Sequence, residues 1–430
     1  FPTRRSSDLE GIPLIRPDQP WDLPTDSLST ILDTGRSTAS KAWSSCDGLA
    51  EALSEADALH LVSGDGSMPL LDHAPTELRI HLHLLEPHRG LYEDTLHRLV
   101  DGSPKRNLAL TEALLSRARR RDQAMMRSLA ERPGSMVSSN SNFSAHRAKE
   151  AYGIVAGVLW PCVDTSEFPS DASDDADNPY PGTDGGYVVS VGRASWAKGT
   201  WETVSMLRGT GLSLAHVGGG DEGPVEMLRS HAEANGVGLW VAPRLPSPEL
   251  VSLMREARAI VSMAHSESFG LSPIEAFAVG APALFVDEGG FTDTIIDGVN
   301  GRLLPRDDTQ AWHSALEEAA DEATYCTDCV PGRFAGKALQ IVLGSVLVHR
   351  LPPPRRTVIN LARSRDRPRP PRHPSRLSRH PPVCRRQTLD RQPYVLQFYR
   401  SPMCQGTLLM LTLARSSLRR FRGLLRIRGV

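Results

Sequence analysis

HSESFGLSPIEAFAVGAPALFVDEGG, residues 265–290, holds a loop, a helix and a strand in quick succession. Glu267, Phe269 and Gly270 supply a carboxylate, an aromatic and a flexible residue to the loop. Leu271, Ile274, Ala276, Phe277 and Val279 give an apolar helix pattern, and Gly280 is placed to end it. Pro282–Val286 is the short apolar run of a buried strand. A loop that feeds a helix leaves backbone N–H groups without helical partners, and such an end attracts anions. Glu275 falls about one turn into that helix. Glu267 and Glu275 therefore flank a place where a charged ligand fits.

Outward from this stretch the same alternation repeats. Strands are expected at Tyr187–Val191, Leu212–Val217, Gly238–Val241, Ala259–Met263, Pro282–Val286 and Gly301–Leu304. Helices fill the gaps, at 199–207, 222–235, 247–256, 271–279, 290–296 and 308–322. Strands alternating with helices predict a parallel, doubly wound sheet, with ligands at the carboxyl ends of its strands. Upstream, from 49 to 165, the pattern is similar but less regular. Ala58–Ser63, Leu78–Leu85, Met136–Ser139 and Gly157–Trp160 read as strands, and Leu108–Leu129 as a long helix. Asn142 or Ser144 is placed to cap a helix that runs to Tyr152 and ends at Gly153.

This divides the chain into an N-terminal Rossmann-like domain over 10–165 and a linker over 166–185, rich in Asp, Pro, Ser and Gly. A second Rossmann-like domain follows over 186–325, then an Arg/Pro-rich tail over 326–430. Residues 1–9, FPTRRSSDL, look like translated adapter rather than native protein. The net charge of −1 conceals a split. Residues 351–430 hold 19 Arg, no Lys and two Asp, a surplus of 17 positive charges, with eleven prolines. That tail reads as irregular, disordered or frameshifted; a nucleic-acid-binding arm is the lesser reading, so no nucleic acid is expected. Cys326 and Cys329 form a lone CxxC without a second pair at zinc-site spacing. The longest apolar runs, Leu339–Val348 and Leu408–Leu413, are too short for a bilayer. With no secretory signal opening the chain, a cytoplasmic protein is expected, with peripheral membrane contact left open.

The chemistry lies where strands end. Gly192-Arg193 and Lys198-Gly199 follow the strand Tyr187–Val191; a planar guanidinium and a point charge suit a diphosphate. Gly218-Gly219-Gly220 follows Leu212–Val217, where glycines permit close backbone approach. Asp287-Glu288-Gly289-Gly290-Phe291-Thr292-Asp293 offers a further glycine turn of the kind that receives anions. Asp297-Gly298-x2-Gly301 reads as a structural turn. Neither a Ser–His–Asp arrangement nor a P-loop GxxxxGK[ST] is present.

In order and spacing, SVGRASWAKG, VGGGDE, HSESFGLSPIEAFAVGAP and DEGGFTDTIIDGVNGRLL resemble the donor-binding half of a group 1 (family 4 type) retaining glycosyltransferase. That family has the GT-B fold, in which two Rossmann-like domains face a crevice. SNSNFSAHRAKEAYGIVAGVLWPCVDTSEF is similar to the end of the family's N-terminal domain. The resemblance covers residues 50 to 322. It implies that Arg193 and Lys198 neutralise the diphosphate of a nucleotide-sugar donor, with Gly192 and Gly219 beside them. It implies that Glu275 binds the ribose hydroxyls, and that Glu267 with the backbone of Phe269, Gly270 and Leu271 holds the sugar and phosphates. His83 is the candidate for a histidine near the reacting sugar, with His81 and His88 as competitors.

No metal or other cofactor is expected, and the partners implied are the donor and a hydroxyl acceptor, whether glycan, lipid-linked or small molecule. Asp293 stands where the family usually has Glu. The family's Gly-rich loop near the N-terminus is not found in residues 10–50, and its C-terminal crossing helix is not recognisable after 325, so the N-terminal domain reads as incomplete. The function expected is hexosyl transfer with retention. A nucleotide-sugar epimerase of the same fold and a non-catalytic nucleotide-sugar-binding fragment are the alternatives.

Overall fold

The computed structural model describes residues 34–64, 66–161, 168, 176–182 and 186–320. The expectations for residues 1–9, the CxxC, the Arg/Pro-rich tail and the end of the last helix lie outside the described residues.

The described chain forms two parallel sheets, each with its own core. The first contains β1 (Ala58–Val62), β2 (Arg79–Leu84), β3 (Met136–Ser139) and β4 (Gly157–Val158), in that order. The register sets His60 against His81 and His83 against Ser138, which brings polar side chains together on one face. Around this sheet lie α1 (Thr34–Ser44), α2 (Leu49–Glu55), α3 (Arg89–Tyr92), α4 (Leu108–Glu131) and α5 (Asn142–Tyr152). α1 falls inside the region searched for a Gly-rich loop. Its sequence, TGRSTASKAWS, carries few apolar residues, yet Ala39, Ala42 and Trp43 are buried. The Trp43 indole N–H donates to the Gly66 carbonyl at 2.7 Å. The cap of α5 is Ser141, one residue before the expected Asn142: its hydroxyl accepts the Ser144 N–H at 2.9 Å. Gly153 ends the helix at φ 71°, as anticipated.

The second sheet contains β5 (Tyr187–Val191), β6 (Ser213–Val217), β7 (Leu239–Ala242), β8 (Ala259–Ser262), β9 (Ala283–Val286) and β10 (Arg302–Leu304). Its spatial order is β10-β9-β8-β5-β6-β7, all parallel. Read from β7 this is 3-2-1-4-5-6, the doubly wound order whose direction of growth reverses between β5 and β8. Helices α6 (Thr200–Leu207), α7 (Glu222–Asn235), α8 (Ser247–Arg255), α9 (Ser272–Val279), α10 (Phe291–Thr294) and α11 (Thr309–Glu318) join and cover the strands. Because helices cover both faces, β9 is buried at every position, and its sequence ALFV is uninterruptedly apolar. The helix expected over 290–296 is a single turn, since Ile295 returns to extended backbone.

Part of the stretch read as a linker packs against the second domain. Phe168 belongs to its core. The Tyr180 ring lies 4.1 Å from that of Tyr187, and Asn178 donates to both Tyr187 and Glu256.

Candidate active site at the reversal of the second sheet

A strand order that reverses leaves a crevice at the carboxyl ends of the two strands flanking the reversal. Here these are β5 and β8, and their following loops carry Arg193, Lys198 and Glu267. The two loops touch through Gly199. It sits at φ 63°, and a Cβ there would lie 1.9 Å from the Met263 carbonyl oxygen, so only glycine permits this approach. His265 N–H then donates to the Ala197 carbonyl at 3.0 Å.

The result is an ion pair of 2.5 Å between Lys198 Nζ and Glu267 Oε2, with side chains only 14% and 12% exposed. Burial pushes the Glu267 carboxyl up, but the charges of Lys198 and Arg89 and the Lys198 hydrogen bond outweigh it and hold the group below its ordinary range. Arg193 lies on the rim, 3.0 Å from Asp221 and largely exposed. Glu275 is half-buried in the first turn of α9, where burial raises its carboxyl to about 7.

The loop that holds Glu267 is braced from below. Ser266 is the one non-glycine residue with positive φ among those described, at 46°. Arg306, just after β10, donates to the Met263 carbonyl at 2.7 Å and pairs with Glu202 at 3.0 Å and Glu288 at 2.8 Å. Glu202 in turn meets His265 at 2.7 Å. The Gly289–Gly290 turn, expected to receive an anion, serves this bracing instead. The Gly290 N–H donates to the Glu267 carbonyl at 2.7 Å, and a Cβ at Gly289 would come within 2.6 Å of that same oxygen. Glycine is needed there for close packing of two loops. Phe269 is buried, and Gly270, at φ 77°, lies against the Phe291 ring, so both shape the loop by packing. Leu271 caps α9. Gly218 and Gly192 pack backbone to backbone, and the Gly219 carbonyl accepts the Ala194 N–H at 2.7 Å, so these glycines join the loops after β5 and β6.

The first domain reaches the same loops. Arg89, 8% exposed, donates through one terminal nitrogen to the His265 carbonyl at 2.6 Å, while its Nε lies 2.9 Å from Glu93 and 3.8 Å from Glu86. Arg147 adds a contact to Glu93 at 3.2 Å. The hydroxyls of Ser141 and Ser144 both donate to the Ser268 carbonyl. The Asp293 carboxylate accepts the Asn142 N–H and lies 3.5 Å from the Trp160 indole nitrogen. Asp293 thus ties the two domains together.

His83 departs from its expected place. It is 1% exposed, and its Nδ1 lies 3.0 Å from Ser138 Oγ. His81 meets the same hydroxyl at 2.9 Å and His60 at 2.9 Å. Burial, with the neighbouring His81 and His60, lowers His83 to about 3. Burial likewise lowers His81 to about 4. A period-two strand sends His81 and His83 to one face, where His81 is half-buried and His83 fully buried, so His83 belongs to a cluster that burial keeps neutral. Glu86, Arg89 and Arg306 went unnoticed in the sequence. Glu86 and Arg89 lie beside the histidines in RIHLHLLEPHRG, immediately after a strand, which is the signal that pointed to them.

The fold and these loops define a two-domain α/β protein that gathers charged residues at the reversal of its second sheet. Residues 175–331 match the family described as Glycosyl transferases group 1. The D-inositol 3-phosphate glycosyltransferase of Paenarthrobacter aurescens is 39% identical over 93 residues, 22% of this chain and 22% of that protein. The alpha-1,3/1,6-mannosyltransferase alg2 of Schizosaccharomyces pombe is 36% identical over 83 residues, 19% of this chain and 16% of that protein. The matched regions thus span about a fifth of these relatives' length. The crystal structure of HepE from Anabaena in complex with UDP-glucose is similar at 18% identity and a TM-score of 0.48, covering 71% of this chain and 84% of that one. Among the described residues no helix is long and apolar enough to cross a membrane.

Proposed function

We propose that this protein transfers a hexosyl unit from a nucleotide-diphosphate sugar to a hydroxyl acceptor, with retention of anomeric configuration. The observation that carries the reading is the Lys198–Glu267 ion pair at the reversal of the second sheet, with Arg193 on the same loop as Lys198 and Glu275 on the helix that follows Glu267. When the bond from the sugar carbon to the diphosphate oxygen breaks, its electron pair moves to the diphosphate. Lys198 and Arg193 stabilise that charge without needing a metal, since cations aimed at developing charge act most strongly where water is excluded. Glu267 holds Lys198 in place and accepts hydrogen bonds from sugar hydroxyls. Glu275 accepts the ribose hydroxyls. The backbone of Phe269, Gly270 and Leu271 faces the phosphates at the start of α9. His83, enclosed in its cluster, has no part in this scheme.

The acceptor side carries a surface suited to peripheral contact with an anionic membrane at the cytoplasmic face. Leu110, Leu114, Arg117 and Arg121 form one exposed stripe along α4, with Leu96 and Leu99 exposed nearby. The donor reading is tested by titrating the full chain with UDP-glucose, UDP-N-acetylglucosamine and GDP-mannose in a calorimeter. At least one is expected to bind, and Glu275→Ala is expected to weaken that binding. Absence of binding by all three, or binding unaltered in Glu275→Ala, refutes the proposal.

A further inference from the structure

Glu86 stands at the carboxyl end of β2, in the first domain, yet the charges of Glu267 and Lys198 in the second domain act on it. Arg89 connects the two sides, meeting Glu86 and Glu93 on one and the His265 carbonyl on the other. Around Glu86 the charged groups are Arg89, Glu267, Glu93 and Lys198. Within this cluster the separations are 2.5 Å for Lys198–Glu267, 2.9 Å for Arg89–Glu93 and 3.2 Å for Arg147–Glu93, against 3.8 Å for Arg89–Glu86. Glu86 is thus the carboxyl with the loosest ion pair. Its side chain is 30% exposed, so it is not enclosed in the core.

Lys198 is already committed to Glu267. A diphosphate arriving at Lys198 adds two negative charges to a cluster in which carboxylates and cations are balanced. The least firmly paired carboxyl then gains most by taking up a proton, which removes one negative charge and creates an O–H donor. We propose that Glu86 is a donor-site residue supplied by the opposite domain, which binds the sugar nucleotide in its protonated form through a carboxyl O–H hydrogen bond. Burial foremost, together with Glu267 and Glu93 and against the pull of Arg89 and Lys198, already raises this carboxyl to about 7. The inference rests on the donor-site reading above.

The test is the pH dependence of binding, by calorimetry on the full chain between pH 6 and 8. UDP-glucose and GDP-mannose are suitable probes, because their diphosphates are esterified at both ends and carry no group that titrates near neutral pH. If only the protonated form is competent, wild-type affinity relative to Glu86→Gln falls about tenfold between pH 6 and 8. Glu86→Gln, a permanently neutral hydrogen-bond donor, is expected to keep the pH 6 affinity within about twofold and to lose this fall. Glu275 titrates in the same range but accepts hydrogen bonds, so its effect has the opposite sign and remains in Glu86→Gln. If Glu86→Gln does not fold, Glu86→Ser serves the same comparison. Wild type and Glu86→Gln with the same pH profile across this range overturn the proposal. Failure of both probes to bind at pH 6 refutes the donor-site reading itself, and this inference with it.

Discussion

Replacing Glu275 by glutamine is expected to stabilise the protein at alkaline pH while weakening donor binding. The carboxyl is half-buried, and burial raises it from 4.5 to about 7. A folded-state value above the unfolded one means that the folded protein binds the extra proton. Stability is therefore greatest at and below pH 4.5, declines as pH rises towards 7, and carries the whole penalty above it. A displacement of that size corresponds to about 3 kcal/mol. Partial exposure lets solvent relieve some of it, leaving roughly 1–2 kcal/mol. Glutamine has nearly the same shape and never ionises. Urea unfolding at pH 8.5 is expected to show Glu275→Gln more stable than wild type by that amount, and the two are expected to coincide at pH 5. Titration with the sugar nucleotide at pH 8.5 is expected to show binding about tenfold to a hundredfold weaker, from lost hydrogen bonds to an ionised acceptor. Equal stabilities at pH 8.5, or a variant less stable there, would show that Glu275 is not held at an energetic cost. A variant that gains stability yet binds the donor undiminished would show that the cost serves something other than the ligand.

Lys198→Met leaves Glu267 without its partner and is expected to cost about 3 kcal/mol in denaturant unfolding. Lys198→Met combined with Glu267→Gln is expected to recover most of that stability, but not donor binding, as a double-mutant cycle would show. Gly199→Ala drives a Cβ into the Met263 carbonyl from a left-handed backbone, so a loss of more than about 2 kcal/mol is expected in thermal unfolding, together with weakened donor binding. His83 lies far below its unfolded value of 6.5, so the folded state excludes a proton that the unfolded chain takes up as pH falls. Between pH 7.5 and 5 this removes about 2 kcal/mol, and His83→Gln is expected to shed that share of acid sensitivity in parallel urea titrations.

Most of the second domain was legible because its signals are local. Gly280 after an apolar helix pattern and the run ALFV each identify an element without help from distant residues. The order of glycine turns and charged loops along the chain likewise placed Lys198 and Glu267 in one crevice. What escaped notice depends on partners remote in sequence. Gly289 and Gly290 look alike whether they receive an anion or lie under another loop, and only the position of the Glu267 carbonyl decides between them. The histidines of RIHLHLLEPHRG drew attention as chemical groups, yet His81 and His83 meet Ser138 on β3, and His81 meets His60 on β1. Glu86 and Arg89 emerge from the same strand end and meet the second domain only in three dimensions. Asp293 stands where the resembled family usually has Glu, and only the fold shows that its carboxylate reaches the start of α5.

The Ser268 carbonyl is held by two hydroxyls from the first domain, while the neighbouring Glu267 carbonyl is held by Gly290 of the second. One short peptide is thus gripped from both sides of the cleft. Any swing that parts the two sheets must unfasten Ser141 and Ser144 from that peptide, along with Arg89 from the His265 carbonyl and Asp293 from Asn142. The segment proposed to grip the sugar nucleotide is therefore also a latch between the two domains. On that proposal, a sugar nucleotide seated on it makes the latch harder to lift, and lifting the latch loosens the seat.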